Sequence, residues 1–119
     1  MCVNEAAFER EVKNVLNELP EWVTAQMDNL IIVVERRATR EQDPTGHGLL
    51  GIYEGVPLAE RGVDYFGVAP DRIVVFYEPH MALGLPESEL RIEIRVTVLH
   101  EIGHHLGLSD DRLHELGWS

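Results

Sequence analysis

The sequence predicts an α+β domain, and three observations predict it. Apolar residues recur at helical spacing near the N-terminus, short β-branched runs occupy the middle, and helical spacing returns over the last third. The 119 residues are read as one domain spanning 1–119, large enough for its own core but with little room for decoration.

From Asn4 onward, Phe8, Val12, Val15, Leu16 and Leu19 fall on one stripe of an amphipathic helix that Asn4 can cap and Pro20 ends. Pro20 can also open a second short helix, EWVTAQM, with Trp22, Val23 and Met27 directed at the same core. LIIVVERR is a β-branched run between polar residues, a strand from about Leu30 to Arg36. ATREQDPTGHG, with Pro44, Gly46 and Gly48, reads as a mobile loop. A short strand follows from Leu49 to Glu54, which Gly51 and Gly55 suit to an edge where another backbone approaches closely. VPLAERGVDYFGVAPD is a turn-rich connection; RIVVFYE, Arg72 to Glu78, is apolar enough for a strand covered on both faces, and Pro79 stops it.

The segment ESELRIEIRVTVLHEIGHHLG carries two patterns. Ile92, Ile94, Val96 and Val98 alternate as in a strand, but Leu90, Ile94, Val98, Ile102 and Leu106 form an i+4 series twice as long. Length favours a helix opened by Pro86 and closed by Gly107 in a left-handed cap. Arg91 and Arg95 fall on its apolar side without a reason visible in the sequence. SDDRLHELGW makes a short closing helix, with Ser109 or Asp110 at the cap.

Composition narrows the function. Hydrophobic and charged contents of 45% and 26% are those of a soluble globular chain, and no apolar run approaches the ~18 residues of a membrane span. MCVNEAAFEREV carries acids where an export signal would carry basic residues and then an apolar stretch, so a cytoplasmic location and no membrane partner are expected. A net charge of -11 with no basic stripe argues against nucleic acid as a partner. With Cys2 as the single cysteine, any metal must sit on histidine and carboxylate.

That directs attention to LHEIGHHLGLSD, Leu99 to Asp110. On a helix, His100 and His104 lie about 40° apart on one face and can converge on one ion. Glu101 lies about 100° round from His100, too far to be an equal ligand but well placed beside a water, as a base would be. His105 sits about 100° past His104 and is read as a core or supporting histidine. Gly107 lets the chain leave the helix and double back, so that Asp110, three residues on, can be the third ligand; its other reading is the helix cap. Asp111, His114 and Glu115 are reserves, His114 first because it lies one helical turn past Asp110. A chance HExxH in a chain of this composition has a probability of roughly 4 in 100, and the later Gly and Asp reduce it much further.

HEIGHHLGLSD fits an HExxHxxGxxD pattern, and the chain resembles the small zincin-like metallopeptidase domains found mainly in bacteria, of the kind that completes its zinc site with aspartate. The motif covers about a tenth of the chain; the agreement in LLGIYEGVPLAERG and RIVVFYEPH is looser. The resemblance implies a minimal zincin-like fold: N-terminal helices on a small mixed three- or four-stranded sheet, a helix carrying the motif, and a short C-terminal helix. It implies Zn2+ on His100, His104 and Asp110, and peptide-bond hydrolysis by a zinc-bound water that Glu101 activates as general base and acid. A peptide or protein substrate would lie along Leu49, Leu50, Gly51, Ile52 and Tyr53, adding to the sheet edge.

The chain also departs from larger zincins. Met1, Met27 and Met81 all precede the motif, so there is no methionine turn beneath the metal; Trp118 can substitute as that floor or be a plain core anchor. No downstream oxyanion donor is evident, which leaves Tyr77, His80 and His114 as unassigned candidates. Glu93 and Thr97 share the helix face of His100 and His104, either supporting them or simply facing solvent. His47 and His80 fall on expected loops and are read as ordinary surface residues. The alternative function is a catalytically latent, zinc-binding regulatory or interaction module, perhaps a homodimer. A zinc hydrolase acting on RNA is a third class, which the acidic composition opposes.

Overall fold

Asn4 begins the first helix as its sequence position suggests, its Oδ1 accepting the Ala7 N–H at 2.8 Å, a cap of the kind that contributes about 1 kcal/mol. In the computed structural model, which describes residues 3–25, 27, 30–55 and 71–118, helix α1 runs Glu5–Asn17 and buries Phe8, Val12 and Val15. Pro20 caps a single turn, α2, Glu21–Thr24, shorter than EWVTAQM suggested. Val23 is buried as expected, but Trp22 is 54% exposed rather than a core residue. Its ring has another surface to cover, stacking on Trp118 at 5.8 Å between centroids and 13° between planes.

Among the described residues, three strands make one mixed sheet in the order β1-β3-β2, with β1 at Leu30–Glu35, β2 at Gly51–Glu54 and β3 at Asp71–Phe76. β1 lies parallel to β3, from Leu30 opposite Asp71 to Glu35 opposite Phe76, and β2 lies antiparallel to it, from Gly51 opposite Val75 to Glu54 opposite Arg72. The most apolar run is the central strand: Ile73, Val74, Val75 and Phe76 are fully buried. Among the described residues β2 is an edge strand, as its glycines suggested. The α+β architecture is the expected minimal one.

β3 stops at Phe76, two residues early. Tyr77 and Glu78 open a short helix, α3, Tyr77–Ala82, which the sequence reading missed by taking Pro79 as a strand terminator. A proline in a first helical turn loses nothing, because the N–H it lacks would have had no intrahelical acceptor. α3 turns His80 inward, so it is fully buried and not a surface residue.

The long helix α4, Glu87–His105, packs on α1 and against β2 and β3. Ile94, Val98 and Ile102 of the i+4 series are fully buried in the common core. The two arginines on its apolar side lie along the seam with α1, where Arg91 Nε is 2.9 Å from Glu11 Oε2 and Arg95 Nη1 is 3.5 Å from Glu18 Oε2. At its end the Leu108 N–H donates to the Gly103 carbonyl and the Gly107 N–H to the His104 carbonyl, a Schellman turn that needs the left-handed φ of 79° at Gly107. Ser109, not Asp110, caps the closing helix α5, Asp110–Leu116, its Oγ accepting the Arg112 N–H at 3.2 Å.

The loop before β2 is held rather than loose, because Asp43 accepts three backbone N–H groups, from His47, Gly48 and Leu49, at 3.1, 3.0 and 3.3 Å. Burial works against the charged Asp43 carboxylate, but these three donors outweigh it and hold its pKa below the ordinary value. Apart from Asp71, the expected connection over 56–71 lies outside the described residues. No described helix is long and apolar enough to cross a membrane.

Candidate metal centre

Helical periodicity brings His100 and His104 together on one face of α4, where both are half-buried. Their Nε2 atoms are 3.0 Å apart. The Nδ1 of His100 lies 3.1 Å from the carbonyl oxygen of Trp118. A carbonyl only accepts, so this nitrogen carries the ring proton and the Nε2 of His100 presents a lone pair towards His104. Trp118 reaches this place because the chain reverses at Gly117, left-handed at φ 76°, with the Trp118 N–H donating to the Leu113 carbonyl. A backbone carbonyl of this kind is the usual orienting partner of a metal-ligating imidazole. Trp118, which the sequence leaves as either a floor under the histidines or a core anchor, is buried in the core with its ring stacked on Trp22, and its main-chain carbonyl fixes the His100 tautomer.

Burial lowers the His104 pKa, and the neighbouring His100 lowers it further, while the negative charge of Asp110 works in the opposite direction. A neutral imidazole is the form that binds a cation. Glu101 is buried, 8% exposed, and that burial pushes its carboxyl up from 4.5 to about 7. Ligand atoms of His100, Glu101 and His104 all lie within 4.8 Å of one another, the one such metal-capable group among the described residues. The donor set fits a divalent ion of the zinc type: two bonds of ~2.0–2.1 Å at a tetrahedral angle need nitrogens about 3.3 Å apart, close to the separation here. Asp110 stands at the start of α5, exposed and outside this group, but near enough for its charge to act on His104.

Opposite these side chains runs β2. Leu49, Gly51, Ile52 and Tyr53 line a cleft of about 470 Å³ with His100, Glu101 and His104. Leu50 and His47 join a continuation of about 360 Å³ that follows α4 back to Glu93 and Thr97. The approach is close because residue 51 is glycine: a Cβ there would lie 2.9 Å from Thr97 Cγ2 and 3.0 Å from the Val74 carbonyl.

The sequence profile of the zincin-like metallopeptidases matches residues 27–118. The chain belongs to that family. A solved structure of a conserved hypothetical protein from T. thermophilus is similar to this zincin-like domain, with 28% identity, a TM-score of 0.63, and coverage of 87% of this chain and 94% of that one. No curated protein matches it.

The remaining residues sort by geometry. Thr97 is buried, its single hydroxyl proton lying between the Glu93 carbonyl at 3.0 Å and His80 Nε2 at 2.9 Å, while His80 Nδ1 donates to the Phe76 carbonyl at 2.7 Å. Burial keeps His80 below the ordinary imidazole range. His105 is fully buried and donates through Nδ1 to Asp71 Oδ2 at 3.0 Å; the Tyr53 hydroxyl donates to the same oxygen. Of the three oxyanion candidates, Tyr77 donates its hydroxyl to the Val3 carbonyl at 2.6 Å, His80 is buried, and His114 is exposed on α5 outside the cleft. His47 is exposed as expected but lines the cleft. Asp71 escaped the sequence reading because an aspartate between a proline and an apolar run looks like an ordinary turn residue. The orienting role of Trp118 had no side-chain signal at all, since a main-chain carbonyl performs it.

Proposed function

We propose that this zincin-like domain is a zinc-dependent peptidase in which His100, His104 and Asp110 hold the ion and Glu101 transfers the proton. One observation carries the reading: two imidazoles present Nε2 atoms to each other at 3.0 Å, beside a buried carboxyl and along a strand that forms the sheet edge among the described residues. Zinc, when bound, supplies Lewis acidity, acidifying water and polarising a carbonyl oxygen. Glu101, in a pocket where its carboxyl is poised near neutrality, takes a proton from the attacking water and returns it to the leaving amine. A cation beside it would favour the charged form and draw that pKa back down. The Trp118 carbonyl keeps the His100 ring oriented throughout.

The edge strand orients the substrate. Leu50 accepts the Phe76 N–H, so Leu50 and Ile52 direct their main-chain groups at β3, while the N–H and C=O of Gly51 between them point away from it, towards the cleft. An extended peptide adds there, main chain to main chain.

The test is Glu101→Gln, with zinc content and hydrolysis of a casein-derived peptide mixture measured on the same sample. Retained zinc with turnover reduced by about 10²- to 10⁴-fold supports the assignment; retained zinc with undiminished turnover removes Glu101 from the mechanism. A second reading, a latent zinc-binding or regulatory module, is favoured by one feature: among the described residues, no tyrosine or histidine from beyond the motif lines the cleft. Stoichiometric zinc with no hydrolysis by the wild-type protein would establish it.

A further inference from the structure

We infer that Glu93 selects peptides bearing a positive charge about three residues from the bond that is cut, an inference that rests on the peptidase reading and names its substrate class. The cleft advances along β2 and α4 together: His47 to Gly51 lie beside the Glu93 to Glu101 stretch, and Leu49 to Tyr53 beside His100 to His104. Its far end is therefore bounded by Glu93. This carboxylate is half-buried, lines the cavity, and has no ion-pair partner among the described residues. The arginines on either side of it along α4 are committed elsewhere, Arg91 to Glu11 and Arg95 to Glu18. Among the described residues, neither lysine nor arginine lines either part of the cleft, and the basic side chains there are imidazoles, two of them from the candidate metal centre. An anionic group at the end of a groove with apolar walls, in a chain of net charge -11, attracts cations and repels acidic peptides.

The spacing follows from the backbone. Seven residues of helix separate Glu93 from His100, about 10 Å of axis, and an extended peptide covers that in about three residues at ~3.3 Å each. A strand antiparallel to β2 brings a residue on the C-terminal side of the cut bond to Glu93, and a parallel one brings the N-terminal side. The cation is therefore a lysine or arginine side chain in either orientation, or a free α-amino group in the parallel one alone.

The experiment is equilibrium binding to zinc-supplied Glu101→Gln protein, which keeps the cleft while slowing turnover. The probes are fluorescent pools of extended Ala/Leu peptides carrying one Lys, one Glu or one norleucine at each position, with and without N-terminal acetylation. The Lys pool should bind about fivefold more tightly than the norleucine pool, and the Glu pool more weakly than either. Adding Glu93→Gln should bring the three within about twofold, and Glu93→Lys should reverse the order. A Lys preference that persists on acetylation assigns the cation to the side chain; pools that bind alike, weaken together on acetylation and lose that acetylation effect in Glu93→Gln assign it to the α-amine. Equal binding of the three pools with no effect of acetylation, or a Lys preference that survives Glu93→Gln, overturns the role of Glu93 and leaves the peptidase reading standing. Failure of every pool to bind overturns both.

Discussion

Two histidine pairs contribute to this small domain in opposite ways. His100 and His104 are half-buried, face each other across 3.0 Å, and border a cleft. His80 and His105 are fully buried and are engaged by the fold itself, one between the Phe76 carbonyl and Thr97, the other against Asp71. The side chain is the same in all four. What separates a ring able to take a cation from a ring that fastens helices is whether its nitrogens are already committed to protein partners, and whether solvent can reach it. His104 and His105 make the contrast sharpest, since adjacent residues on one helix have the two different fates.

That contrast can be broken by mutation. His80→Ala removes a buried ring and leaves the Phe76 carbonyl and the Thr97 hydroxyl short of a partner, so stability in urea should fall by about 3 kcal/mol. Zinc affinity should stay within a few-fold. A variant of unchanged stability that no longer takes up zinc would show that His80 belongs with the metal centre and that the division is wrong.

A second effect sharpens the same comparison through pH. In the metal-free protein the Glu101 pKa is raised by burial to about 7, so the folded state holds a proton that the unfolded chain releases near 4.5. The contribution of Glu101 to stability is therefore intact below about 4.5 and lost as pH rises through about 7. His80 works with the opposite sign: its pKa is lowered, so its contribution is present above the ordinary value of 6.5 and is lost as pH falls below it. Glu101→Gln isolates the first effect. Without metal, this variant should match the wild type near pH 4 and exceed it by about 3 kcal/mol at pH 8, and saturating zinc should narrow or reverse the gap. A difference independent of pH would mean that Glu101 is already charged and solvated in the fold.

Much of this architecture was legible in the sequence where one periodicity dominated. The α1 stripe, the central strand and the long i+4 series of α4 each repeat an apolar residue often enough to outweigh a rival pattern, and HExxH rests on the same 3.6-residue period. Legibility failed where a local rule met a tertiary one. Pro79 is as good in a first helical turn as at a strand end, and only the packing of His80 against Phe8, 5.2 Å between ring centroids, shows which applies. Trp22 has the composition of a core residue but finds its partner in Trp118, nearly a hundred residues away in the chain. Ser109 and Asp110 are equally good caps by type; the backbone gives the cap to Ser109. That leaves the Asp110 carboxylate without a capping duty and consistent with the ligand role proposed for it. Arg91 and Arg95 looked like errors in an apolar face because the acids they meet, Glu11 on α1 and Glu18 at its C-cap, lie far away in the sequence.

The central claim is that the two facing imidazoles, completed by Asp110, form a zinc site. Zinc per chain, measured by elemental analysis after the wild-type protein and its His104→Ala variant are equilibrated with excess zinc at neutral pH and passed through a desalting column, tests it directly. One tightly held ion in the wild type, and an affinity at least about 100-fold weaker in the variant with its fold retained, is the predicted result. A wild-type protein that retains no zinc, or a His104→Ala variant that retains as much as the wild type, would contradict it.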